Sequence, residues 1–196
     1  MQFLFHLVPI KILNFILKEQ SMAKYVAFLR GINVGGRVIK MDALRQIFIK
    51  AGVKNVKTYI QSGNVIFESS SDPDVIVKKI EKALLNELGY EVPVLLRTVE
   101  ELEEIIKLNP FKKVKSKDDV KHYVVFFYNE PVTKPKLPLH SPKKDVEVFH
   151  IHKTTAFCLS RSMDGKVWGF PNAFIEKEFK MPATTRNWNT VCKVIE

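Results

Sequence analysis

The chain contains only two cysteines, Cys158 and Cys192, far apart and without CxxC spacing, which argues against both a disulfide framework and a cysteine-built zinc site. Five histidines offer one close pair, His150 and His152. They would share a strand face, but no carboxylate pattern converges on them and the pair reads as a surface feature. Acidic residues are scarce: 21 Asp and Glu against 31 Lys and Arg leave a net charge of +10 and a pI near 9.5. Such a balance suits anionic partners, nucleic acid or phosphorylated metabolites, without choosing between them.

Long unbroken apolar runs are also missing. Residues 1–21 are apolar but interrupted by Pro9, Lys11, Asn14 and Lys18, whereas a membrane-spanning helix needs about 20 apolar residues. A secretory signal needs a basic start and a small-residue cleavage site; Gln2 precedes the apolar run and Ala23 is the one small candidate. We expect 1–21 to be a leader upstream of the true start at Met22, because a buried strand begins three residues later. If translated, the leader would form an amphipathic helix on a membrane surface or on the body of the protein. Otherwise no membrane partner is expected, and the expected compartment is the cytoplasm.

Two phosphate motifs are absent. GxGxxG does not occur, and Gly31 to Gly36 matches only the outer glycines of GxxxxGK[ST], since Arg37-Val38 stands where Lys-Ser/Thr should. No RNP1-like KGFGFV run accompanies the strand aromatics Tyr123, Phe126, Phe127 and Tyr128.

What is present is organised around KYVAFLRGINVGGRVIK, residues 24–40. Tyr25 to Leu29 has no polar residue for either face and predicts a strand buried on both sides. Gly31, Gly35 and Gly36 follow, flanked by Arg30 and Arg37. Glycines admit the positive φ angles that let consecutive N–H groups converge on an anion. They also suit a plain strand-to-helix connection, and spacing alone favours that reading. Leu44, Ile47 and Phe48 mark one face of the next helix. The loop is therefore expected to feed a helix N-terminus that attracts anions.

The hydrophobic content of 46% over 196 residues supports a real core, in one domain or two small ones. Gly52 reads as a helix C-cap, and 56–61 as a strand turning at Ser62-Gly63-Asn64 into Val65-Ile66-Phe67. Asp72-Pro73 starts a helix with Val75, Ile76, Ile80, Ala83, Leu84 and Leu88 on its inner face, and Gly89 stops it. Val92 to Arg97 is a fourth strand, and Thr98 to Leu108 a capped helix that Asn109-Pro110 ends. The order β-α-β-β-α-β is the split βαβ of ferredoxin-like folds. The lysine-rich stretch 112–121 reads as a solvated linker. After it come a buried strand at 122–128, a proline-rich connection at 131–142, a hairpin at 146–151 and 155–160, and a helix at 172–180. The expected fold class is α+β, two ferredoxin-like (split βαβ) subdomains with antiparallel sheets. The first spans 22–117 and the second, 118–196, is degenerate, its opening helix short or missing.

Three segments, LRGINVGG at 29–36, TYIQSGNV at 58–65 and PATTRNWNT at 182–190, together resemble the DUF1697 family, a family of unknown function. The resemblance runs from Met22 to the C-terminus. It implies two ferredoxin-like subdomains, as above, and brings no reaction with it. It marks Arg30, Asn33, Gly35, Gly36, Gln61, Ser62, Gly63, Asn64, Thr184, Thr185, Arg186 and Asn187 as signature positions.

Each segment places small polar side chains where a strand ends, so one shared ligand-binding site is expected. Arg30 and Arg186 would hold a phosphate or carboxylate; Asn33, Gln61 and Asn64 would read an amide or base edge; Ser62, Thr184 and Thr185 add hydroxyls. Equally, Thr184 to Asn187 reads as the cap of a C-terminal helix with Trp188 in the core. The segments contain no His, Cys, Asp or Glu, hence no general base, nucleophile pair or metal cluster, and imply no cofactor. Binding of an anionic small molecule is the leading reading. A nucleic-acid binder using the basic surface and an enzyme of unknown reaction are the alternatives. Oligomeric state leaves no mark on the sequence.

Overall fold

The computed structural model describes residues 22–114, 119–133, 135–162 and 169–196. The expected leader and part of the lysine-rich linker lie outside them. Strand β1, Ala23–Leu29, sends Tyr25, Ala27 and Leu29 to one side and Val26 and Phe28 to the other, all buried. That double burial is why the segment carries no polar face. Helix α1, Met41–Lys50, packs Leu44, Ile47 and Phe48 on the first side. Ala51 is its C-cap, and Gly52 follows with φ +90° rather than capping it.

Strands β2, Lys54–Tyr59, and β3, Asn64–Ser69, form the hairpin. The first is displaced two residues from the expected 56–61, because Ile60 has φ +49° and so leaves the strand with Gln61 to make the turn. Helix α2, Pro73–Leu88, is capped by the Asp72 side chain, which accepts from the N–H groups of Asp74 and Val75, and is closed by Gly89 in the left-handed region. Its inner stripe is Ile76, Ile80 and Leu84; Val75, expected there, lies about 100° around the helix from Ile76 and is exposed. Strand β4, Val94–Thr98, and helix α3, Val99–Leu108, follow, the helix opened by a capping box between Thr98 and Glu101. The sheet order β2-β3-β1-β4 is that of the split βαβ fold, all antiparallel.

The second half repeats the plan. Strands β5, Val120–Phe127, β6, Leu139–His140, β7, Val146–His152, and β8, Thr155–Arg161, are joined by helix α4, Pro171–Phe179, to β9, Ala183–Asn187, and helix α5, Trp188–Lys193. The order is β6-β7-β8-β5-β9, so omitting β6 leaves the arrangement of the first sheet. Edge strand β6 lies inside the expected proline-rich connection, where the first half has its opening helix. The segment Thr184 to Arg186 is a strand paired with β5, which the capping reading misses; only Asn187 caps α5, accepting from the Asn189 N–H. The threonines' β-branching suits the strand.

The two sheets face each other. Val26, Phe28, Ile66 and Leu95 of the first meet Val124, Phe126, Phe157 and Leu159 of the second, with α3, α5 and Phe111 filling the margins. Phe28 and Phe126 stack at 4.7 Å and 12° at the centre. Helices α1 and α2 cover the outer face of the first sheet, and α4 that of the second. Among the described residues, no helix is long and apolar enough to cross a membrane.

Candidate functional site

An arginine from each half crosses to the other. Register places Arg97 of β4 opposite Val26 and Arg186 of β9 opposite Val124, so the two occupy equivalent positions. Arg97 donates to Phe127 O (2.6 Å) at the end of β5, to Leu96 O (2.8 Å) and to Thr154 Oγ1 (3.0 Å). Arg186 donates to Leu29 O (2.8 Å) at the end of β1, to Thr185 O (2.8 Å) and to Asn64 Oδ1 (2.6 Å). Their guanidinium carbons lie 5.5 Å and 5.3 Å from the Phe126 and Phe28 rings. Burial pushes the Arg186 pKa down to about 10, still high enough to keep the charge at neutral pH. Its fork is thus occupied by internal acceptors and acts as a strut between the halves.

Other signature residues support that strut. Asn64 is fully buried and donates to Tyr59 O (3.1 Å) and Ser62 Oγ (2.9 Å), which aims its oxygen at Arg186. Gly63 has φ +72°, and a Cβ there would meet Ile32 Cγ2 at 2.4 Å. Its carbonyl accepts from the Leu29 N–H at 2.8 Å. Asn33 donates to Gln61 O (2.8 Å) and accepts from the Ile39 N–H (2.7 Å), clamping the glycine loop to the β2–β3 turn.

These clamps hold the three segments around one cleft of about 780 Å³, within the usual range for small-molecule sites. The first segment lines it with Arg30 and Asn33, the second with Gln61 and Ser62, and the third with Thr184, Thr185, Arg186 and Asn187. Gly35, Gly36, Gly63 and Asn64 do not line it. Nor does the glycine loop run straight into a helix N-terminus: Arg37 to Lys40 intervenes, and Lys40 makes no side-chain cap to α1. A second concavity of about 570 Å³ between Lys24, Lys57, Glu68 and Lys193 touches no signature residue.

Arg30 differs from Arg186. Its side chain is 39% exposed, and its Nη2 pairs with Glu176 at 3.0 to 3.1 Å. Its Nε and Nη1 meet no partner among the described residues. Glu176, on α4, is held by accepting the Ala183 N–H at 2.9 Å. Thr185 donates to Asn172 Oδ1 at 3.0 Å, while Thr184 is buried with Oγ1 unpartnered. The Tyr128 hydroxyl is also buried without a partner; desolvation, aided by the fields of Glu81 and Glu176, raises its pKa.

Motif reasoning misses Phe170, Asn172 and Glu176, which also line the cleft. Asn172 and Glu176 stand at i, i+4 on one face of α4, a spacing visible in sequence. Only the crossing of the chain shows that this face meets the first segment.

The family model for a protein of unknown function, DUF1697, matches residues 22–157. The third segment therefore lies beyond the matched range. A solved structure of a conserved bacterial protein from Streptococcus pneumoniae is similar at a TM-score of 0.63 and 21% identity, covering 89% of this chain and 98% of that one, and supports the fold alone. No curated protein matches the sequence. With its family model spanning well over half of the sequence from Met22, the chain belongs to the DUF1697 family of proteins of unknown function.

Proposed function

We propose that the cleft binds an anionic small molecule bearing a phosphate or carboxylate, with Arg30 as its charged contact. One observation carries this reading: the three segments border a single cleft in which Arg30 keeps Nε and Nη1 unpartnered among the described residues. Each of those nitrogens offers N–H groups to a ligand oxygen, and the two-bond grip on an oxyanion, through Nε with Nη2 or Nη1 with Nη2, follows once Nη2 is shared with or released from Glu176. The Glu176 pair at Nη2 is partly exposed, and such pairs contribute about 0–1 kcal/mol, so shifting it to admit a ligand costs little. Gln61 and Ser62 supply further polar groups from the second segment. On this reading the subdomains, 22–117 and 118–196, bind jointly, two segments coming from the first and one from the second. The protein would act in the cytoplasm.

The nucleic-acid alternative has less support. Phe126 and Phe127 are fully buried, and each sheet is covered on both faces, so base stacking on a sheet face is closed. An enzyme would have Glu176 as its one carboxylate on the cleft among the described residues.

A thermal-shift and calorimetric screen of the whole chain against phosphates and carboxylates tests the reading. A ligand at a hundred times its Kd stabilises by about 2.7 kcal/mol, which raises Tm by roughly 5–10 °C at this chain length. The shift should vanish in Arg30→Gln and depend only mildly on salt. A shift given only by oligonucleotides and lost steeply with salt would replace the pocket by a diffuse basic surface.

A further inference from the structure

We infer that the anion bound in this cleft carries an aromatic ring, seated on Phe170; this rests on the anion-binding reading above. Of the large apolar side chains left exposed among the described residues, Val34, Ile60 and Phe170 all border this one cleft. They come from three separate places: the glycine loop, the β2–β3 turn and the residue preceding α4. Apolar surface gathered from distant segments onto one concavity is the usual sign of a ligand with an apolar body.

Phe170 is 58% exposed and the one exposed aromatic residue among those described. It is nevertheless held in place, edge-on to Tyr123 at 5.6 Å and 82°, while its backbone leads into Pro171 and α4. An exposed ring whose position is fixed from behind offers a stacking surface at small entropic cost. Ile60 points the same way. A β-branched residue at φ +49° is strained, and here that conformation accompanies a half-exposed side chain on the cleft.

The charge on the cleft sets the rest of the ligand. Arg186 is consumed internally and Arg30 is shared with Glu176, so a single compact oxyanion is matched and a polyphosphate is not. Thr184 also borders the cleft, with its Oγ1 buried and unpartnered. The ligand class is therefore a planar ring bearing one carboxylate or one phosphate group.

Matched probe pairs test this by calorimetry on the whole chain: phenyl phosphate against inorganic phosphate, and benzoate against acetate. In the wild type the aryl member of the favoured pair should bind about tenfold more tightly than its simple anion. In Phe170→Ala that ratio should collapse toward one, while Phe170→Trp keeps it. Arg30→Gln should weaken both members together. Unchanged melting of the Phe170 variants, expected for an exposed ring, ties the change to binding. Equal affinity for aryl and simple anions would overturn the aromatic requirement and leave the anion site standing. Failure of all four probes would remove both.

Discussion

Replacing Arg186 with methionine separates a strut from a ligand group. The substitution keeps most of the side-chain length but leaves Asn64 Oδ1, Leu29 O and Thr185 O without their donor, in a region where Arg186 itself is 9% exposed. Each orphaned buried acceptor costs about 1–3 kcal/mol. Relief from burying a guanidinium offsets part of that, yet two of the three acceptors are main-chain carbonyls that no second substitution removes. A net loss of about 3–5 kcal/mol is the expected size for breaking one side of a buried charged network. Tm should fall by roughly 6–20 °C, read by circular dichroism at neutral pH with urea unfolding alongside. The symmetry-related Arg97→Met should lose a similar amount, because it orphans Phe127 O and Leu96 O in the same way. A methionine variant that melts within 2 °C of wild type while losing ligand affinity would refute the strut and make Arg186 a binding group.

Gly63→Ala combines a left-handed backbone with a 2.4 Å approach to Ile32 and should cost roughly 2–4 kcal/mol by urea unfolding. Gly35→Ala, at φ +61° in open space, should cost no more than about 1–2 kcal/mol; equal losses would show that crowding plays no part. Burial holds the His122 and His150 imidazoles below the ordinary value of 6.5, with each Nε2 buried and unpartnered. A lowered folded pKa means the unfolded chain takes up protons first as pH falls. Stability should therefore be level above about pH 6.5 and fall below it, and the slope should be shallower in His122→Phe with His150→Phe; an unchanged slope would clear both residues. Cys158 is wholly buried and its thiol is pushed up by desolvation, whereas Cys192 is half-buried, so Ellman's reagent should titrate one thiol in the native chain and two in denaturant.

Local chemistry was legible wherever the determinant lay within a few residues. Asp72-Pro73, Gly89 and the Thr98/Glu101 pair each carry their own cap, and the structure has a helix end at each. The doubly buried β1 was readable for the same reason: its five apolar residues announce two covered faces. Strand β9 was not, because Thr-Thr-Arg-Asn looks like exposed turn chemistry. Its burial depends on Leu29 and Asn64, more than a hundred positions away. The convergence of the three segments on one cleft could be guessed from their shared polarity, but the division of labour within them could not. Asn33, Asn64 and Arg186 have the composition of ligand readers, and their hydrogen bonds go to the protein.

That division follows from the duplicated plan. Glu81 accepts the Val94 N–H and Glu176 the Ala183 N–H, both at 2.9 Å, at the start of equivalent strands. Arg97 and Arg186 make equivalent crossings, and Leu29 and Phe127 receive them at equivalent strand ends. A site that depended only on these features would occur twice. The halves diverge one residue later, where the chain leaves β1 as Arg30 and leaves β5 as Tyr128. The arginine enters the glycine loop and stays partly exposed, with two donor nitrogens unpartnered among the described residues; the tyrosine folds inward with its hydroxyl shielded. Opposite Arg30 stand Phe170 and α4, on an edge where β9 has no further strand beside it. The duplicated residues thus build the frame, and the cleft lies where the two-fold relation is broken. Exchanging Arg30 for tyrosine restores local symmetry without touching either strut, and should remove anion binding while leaving Tm within a few degrees of wild type. Loss of stability comparable to that of Arg186→Met would instead place Arg30 in the frame.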